Sequence, residues 1–180
     1  MKRLRRTATT DVVAALTRIP ANPSQRILVV EDDEAIRQLN AQVLAGSGYQ
    51  VHAAEDGAAG WEALHANTFA LLITDHDMPR LSGLELVKKM RSERMTLPVI
   101  LTSGSLPTEE LERHPWLQLA ATLLKPFSPD QLLETVQEVL RVDALYASVA
   151  PERWFPMFTA PFRQALPYQH GDHNDQGTTT

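Results

Sequence analysis

Carboxylates, hydroxyls and an amine stand directly behind short apolar runs in this sequence. Ile27-Leu28-Val29-Val30 leads into Glu31-Asp32-Asp33, and Leu71-Leu72-Ile73 leads into Thr74-Asp75, with Asp77 two places on. Val99-Ile100-Leu101 is followed by Thr102-Ser103-Gly104, and Leu123-Leu124 by Lys125-Pro126. Clustered carboxylates repel one another and call for a hard cation. Mg²⁺ suits them, because it takes oxygen ligands and keeps several waters. A carboxylate at the centre of such a cluster can attack phosphorus and form an aspartyl phosphate. The cation and an ammonium would offset charge on the transferred oxygens, while a hydroxyl donates to another of them.

That chemistry requires the groups to meet, and the apolar runs say how. None alternates with polar residues, so each reads as a strand buried on both faces, as in a parallel sheet. Gln50-Val51-His52-Ala53 is a weaker fifth candidate. Helical patterns lie between the runs. Residues 34–45 place Ile36, Leu39, Val43 and Leu44 on one face, and 58–66 carry Trp61 and Leu64. Residues 84–94 repeat Leu84, Val87 and Met90, with Lys88, Lys89 and Arg91 outward. A shorter fourth helix is expected near 107–113, ahead of His114-Pro115-Trp116. Ser128-Pro129-Asp130-Gln131 is a capping-box start for a helix running to about Leu140. Strands alternating with helices imply a doubly wound α/β sheet. In such sheets functional groups gather past the carboxyl ends of the strands, so these residues should converge on one crevice.

Charge is distributed unevenly. Residues 1–26 carry six Lys/Arg against one Asp, whereas residues 27–140 carry eight against seventeen acids. An acidic central region disfavours general phosphate-backbone binding, which needs a basic surface. With no cysteine, disulfides, thiolate catalysis and cysteine zinc sites are excluded. No apolar run approaches the roughly 18–20 residues of a membrane span. The basic start precedes an apolar stretch, Val12 to Leu16, too short for a signal peptide. Asp11 to Ile19 could form a short helix before a linker, Pro20-Ala21-Asn22-Pro23. The expected organisation is a flexible basic extension over 1–24, one domain over 25–142 and a disordered Pro-rich tail over 143–180.

The motifs resemble the response-regulator receiver family over roughly residues 25–142. The matching stretches are Ile27-Leu-Val-Val-Glu-Asp-Asp-Glu34, Leu71-Leu-Ile-Thr-Asp-His-Asp-Met-Pro79 with Ser82-Gly83, Pro98-Val-Ile-Leu-Thr-Ser-Gly104, and Leu124-Lys-Pro-Phe127. The resemblance implies a flavodoxin-like, five-stranded parallel sheet in the order 2-1-3-4-5 with helices on both faces. It implies Asp75 as phosphoacceptor, Asp32 as a direct Mg²⁺ ligand and Glu31 as one acting largely through water. Asp77 would offer its backbone carbonyl to the metal, Ser103 would be the switch hydroxyl, and Lys125 the family's lysine. It further implies a cytoplasmic, stand-alone receiver similar to the chemotaxis response regulator. Such a protein is no enzyme beyond its own phosphorylation and dephosphorylation. It takes phosphoryl groups from a sensor histidine kinase or histidine phosphotransfer protein and signals to a downstream protein by contact, without a DNA-binding domain or a membrane. The sequence departs from the pattern at Thr122, where the family often has an aromatic switch residue.

Each group also has a plainer reading. Acids after a strand often only begin a helix, Ser103-Gly104 alone would be a turn, and Thr102 would pack or cap. His76 reads as a rim residue, and Trp61 and Trp116 as packing groups. His170, His173 and Trp154-Phe155-Pro156-Met157-Phe158 belong to the tail. The rival function is a haloacid-dehalogenase-type phosphatase, which also uses Asp-x-Asp, a Ser/Thr, a Lys and Mg²⁺. In that family the Asp-x-Asp comes first, whereas here the acidic pair leads Asp75 by forty-odd residues.

Overall fold

The computed structural model describes residues 25–149. Five strands, β1 (Arg26–Val30), β2 (Gln50–Ala54), β3 (Leu71–Asp75), β4 (Val99–Ser103) and β5 (Ala121–Leu124), form one sheet in the order β2-β1-β3-β4-β5. Every pairing is parallel. The helices are α1 (Glu34–Gly46), α2 (Gly57–Ala66), α3 (Gly83–Ser92), α4 (Thr108–Arg113) and α5 (Pro129–Val149), with a 3₁₀ turn at Pro115–Leu117. This is the doubly wound, flavodoxin-like arrangement that the sequence implies.

Alternate strand residues feed two cores. Leu28, Val30, Leu72, Val99 and Leu101 pack with Leu84, Leu86, Val87 and Met90 of α3 and with Leu111 and Leu117. Ile27, Val29, Leu71, Ile73, Ile100 and Leu123 pack on the other face with Leu44 of α1 and Leu132, Val136, Val139 and Leu140 of α5. The continuous apolar runs of β1, β3 and β4 follow from this double coverage. In β3 and β4 every residue is buried. Among the described residues no helix is long and apolar enough to cross a membrane.

Several local readings need correction. In α1, Leu39 is 52% exposed, while Asn40 and Leu44 are buried. The buried stripe centres on Asn40, Val43 and Leu44, and Leu39 lies at its edge. Arg91 does not point outward. It curls back and donates to the carbonyls of Leu117, Met95, Leu97 and Gln118, tying the end of α3 to the loops under β4 and β5. Leu124 is 54% exposed despite its apolar run, at the end of β5, an edge strand. Trp116 is half exposed too, so it is less a packing group than its type suggests; Trp61 packs against the core and carries Lys89 over its ring. The Ser128 capping box forms as read, with Ser128 N–H donating to Gln131 Oε1 and Gln131 N–H to Ser128 Oγ. Its helix continues to Val149, well past Leu140. Asp11–Ile19, Pro20–Pro23, Trp154–Phe158, His170 and His173 lie outside the described residues.

Candidate functional site

The carboxyl ends of β1, β3, β4 and β5 bring the residues together. Parallel register sets Val30 beside Thr74, Asp75 beside Thr102 and Ser103 beside Leu124. The residues just past these positions therefore share one cleft. Glu31, Asp32 and Asp75 each present a carboxylate oxygen within 4.8 Å of the other two. Glu31 and Asp75 are buried and Asp32 is exposed, so the cluster opens to solvent on one side.

Lys125 enters from the end of β5. Its Nζ donates to Glu31 Oε2 at 2.9 Å and Oε1 at 3.1 Å, and lies 3.0 Å from Asp75 Oδ1. The last contact is an ion pair without hydrogen-bond alignment, which leaves the buried Asp75 Oδ1 without an aligned donor. Burial raises the Glu31 pKa, the hydrogen bond and charge of Lys125 lower it, and the charges of Asp75 and Asp32 raise it again, so the net direction is up. Burial pulls the Lys125 pKa down, but its close contacts with the Glu31 and Asp75 carboxylates together outweigh this, and the net direction is up. A cluster of three acids around one ammonium remains short of positive charge.

The third acid of the run, Asp33, follows the plainer reading. Its side chain caps α1 by accepting from the amides of Ala35 and Ile36, a position that favours a carboxylate. Thr102 is buried and donates to the Thr74 carbonyl, as a packing and capping residue should. His76 is half-buried with its Nδ1 shut away from solvent and unpartnered.

Ser103 and Asp77 form a second group. Ser103 Oγ lies 3.0 Å from Asp77 Oδ2 and 2.5 Å from the Ser105 carbonyl oxygen, and the Gly104 amide donates to the same Asp77 oxygen at 3.3 Å. The family resemblance implies a backbone role for Asp77, and a side-chain contact to a residue 26 positions away is not visible in the sequence.

Other supporting residues were missed as well. The β3–α3 loop is pinned at Arg80, whose backbone is left-handed at φ 69° and whose guanidinium pairs with the buried Asp56. Asp56 also caps α2 through the Ala59 amide. Ser82 and Glu85 form a capping box at α3, a signal that Ser-x-x-Glu carries in the sequence. Gly83 packs so closely on β3 that a Cβ would collide with the Asp75 carbonyl oxygen.

This fold and this acidic cleft define a receiver of the two-component type, and the comparisons agree. The family model described as the response regulator receiver domain matches residues 27–137, and the chain belongs to that family. It is 35% identical over 119 residues to the chemotaxis protein CheY1 of Helicobacter pylori, covering 64% of this chain and 96% of that protein. It is 32% identical over 120 residues to the alkaline phosphatase synthesis transcriptional regulatory protein PhoP of Bacillus subtilis, covering 66% of this chain and 49% of PhoP. The chain thus spans about half the length of PhoP and nearly all of CheY1. Among solved structures, a CheY-like receiver domain protein from Methanospirillum hungatei superposes with TM-score 0.63 at 30% identity, covering 67% of this chain and 97% of that one. The response regulator TrrA of Thermotoga maritima, in complex with Mg²⁺-BeF, gives TM-score 0.57 at 30% identity, covering 64% and 98%.

The cleft fits Mg²⁺ on its own chemistry. Its donors are all carboxylate oxygens, three of them within one ion's reach, and one is buried without an aligned hydrogen-bond donor.

Proposed function

We propose that Asp75 accepts a phosphoryl group from a sensor histidine kinase or histidine phosphotransfer protein in the cytoplasm, and that the domain passes the signal on by protein contact. The observation that carries this is Lys125 bridging Glu31 and Asp75 within a three-carboxylate cleft. A purely structural ion pair would not need the uncompensated third acid. The receiver core covers residues 25–142, and its last helix, α5, runs on to Val149; signalling by contact needs neither a DNA-binding domain nor a membrane.

In the proposed transfer an Asp75 carboxylate oxygen forms the new P–O bond. The P–N bond to the donor imidazole breaks and leaves its electron pair on that nitrogen. Lys125, already 3.0 Å from Asp75 Oδ1, is placed to neutralise charge on the incoming oxygens. Ser103 supplies the hydroxyl for another oxygen. Glu31, Asp32 and Asp75, with the Asp77 carbonyl, would hold Mg²⁺, which supplies further neutralisation and orientation when bound. The protein's catalysis extends only to its own phosphorylation and dephosphorylation.

Incubation with a small phosphodonor and Mg²⁺ should add one phosphoryl group per chain, and Asp75→Asn should abolish it. Uptake by that variant at the wild-type rate would remove Asp75 from the role. Asp32→Ala should weaken Mg²⁺ binding by about tenfold or more, since it deletes one of few protein ligands; undiminished affinity in a titration would place the ion elsewhere.

A further inference from the structure

We infer that the Asp77 carboxylate is a built-in competitor for the phosphoryl group, occupying the donors that a phosphoryl oxygen on Asp75 must take over. The inference rests on Asp75 being the phosphoacceptor. It concerns what holds the Ser103 hydroxyl and the Gly104 amide before phosphorylation.

Those two donors converge on one anionic oxygen, Asp77 Oδ2, at 3.0 and 3.3 Å. Paired donors of this kind, one hydroxyl and one backbone N–H, are what a phosphoryl oxygen requires. Ser103 is fully buried and Asp77 is exposed, so the serine is fixed by the fold and the aspartate comes to it. Among the described residues no cation forms an ion pair with Asp77, and its recorded side-chain partners are these two donors. The contact is therefore Asp77's one anchorage, and it ties the β3–α3 loop to the start of the β4–α4 loop.

A second feature makes the tie replaceable. Ser103 has one hydroxyl hydrogen and two acceptors in reach, Asp77 Oδ2 and the Ser105 carbonyl oxygen at 2.5 Å. The hydroxyl is thus already poised between a charged and a neutral partner. A phosphoryl group on Asp75 brings more negative charge than Asp77 carries. It would claim the same donors and repel the carboxylate from them. Asp77 would then swing free, and the link between the two loops would open. Phosphorylation in this view exchanges one anion for another on a fixed pair of donors, and the displaced carboxylate reports the exchange.

The test is a beryllofluoride titration at Mg²⁺ concentrations shown to be saturating for each variant, followed by amide resonances. Asp77→Ala should bind beryllofluoride about tenfold more tightly than wild type, the effect of one charged hydrogen bond no longer in competition. Asp77→Asn, which keeps an acceptor but no charge, should fall between. Loss of a nearby negative charge favours any anion, so the comparison is repeated on Ser103→Ala, where the gain from Asp77→Ala should shrink at least threefold. In the metal-free protein, Asp77→Ala should also shift the Gly104 amide resonance and speed its hydrogen exchange. Unchanged or weaker beryllofluoride binding by Asp77→Ala overturns the inference. So does an undiminished gain on the Ser103→Ala background, or an unmoved Gly104 amide. Wild-type protein that takes no beryllofluoride at Asp75 would instead bring down the phosphoacceptor assignment, and the competitor with it.

Discussion

The two sides of the cleft are built differently. On the carboxylate side, Glu31 and Asp75 are buried and follow or end strands that sit at the centre of the sheet, and Lys125 reaches them from the end of β5. On the hydroxyl side, Ser103 is equally buried, but Asp77, Gly104 and Ser105 lie on exposed loops, and the α4 that follows has no side-chain cap. The first side has the rigidity of packed parallel strands; the second depends on a few hydrogen bonds between loops. Local opening free energies track this distinction, being lowest where apolar contacts are few. A phosphoryl group can therefore be held by one wall and read by the other.

Substitution of Lys125 bears hardest on the rigid wall. Lys125→Met should slow phosphorylation of Asp75 by a small phosphodonor by about 10²-fold, in line with loss of one preorganised charge donor. The same variant should bind Mg²⁺ more tightly than wild type when unphosphorylated, because an ammonium no longer competes for Glu31 and Asp75. Equal or weaker Mg²⁺ binding in a calorimetric titration would show that the lysine does not compete with the cation.

The loop wall has one rigid seat, where Gly83 meets β3. Gly83→Ala must displace the Asp75 carbonyl or the start of α3, and overpacking of that kind costs about 1–3 kcal/mol. Chemical denaturation should show that loss, together with slower phosphorylation, since the displaced carbonyl belongs to the acceptor itself. Wild-type stability would mean that α3 slides freely on the sheet.

The smallest effect belongs to the Asp56–Arg80 pin. Asp56→Ala removes a helix cap worth about 0.5–2 kcal/mol and leaves Arg80 left-handed without its partner. The Asp56 carboxyl lies below the usual carboxylate range. The Ala59 amide lowers it most, burial works against this, and the charge of Arg80 adds to the lowering. A carboxyl depressed in the folded state adds stability that is fully present above the unfolded value and is lost as pH falls through the folded one. Stability of Asp56→Ala should accordingly converge on that of wild type below about pH 4, the ordinary carboxylate value. A difference that stays constant down to pH 2 would assign it to the cap geometry and not to the charge.

Much of the rigid wall was legible in the sequence, for a physical reason. Strands buried on both faces must be continuously apolar, so β1, β3 and β4 announce themselves, and a parallel sheet puts whatever follows them at one end. Glu31, Asp32, Asp75 and Lys125 could thus be placed together from one-dimensional spacing. The tertiary structure alone decided the rest. Asp33 turned from cleft to helix cap, Leu39 gave way to Asn40 on the buried stripe of α1, and Arg91 curled inward to four carbonyls. The Asp77 side chain found Ser103, and Arg80 found Asp56 across 24 positions of chain. Strand burial is a local property of five consecutive side chains, whereas a loop contact depends on where two distant backbones come to rest. Spacing along the chain carries the first kind of information, and only the packed fold carries the second.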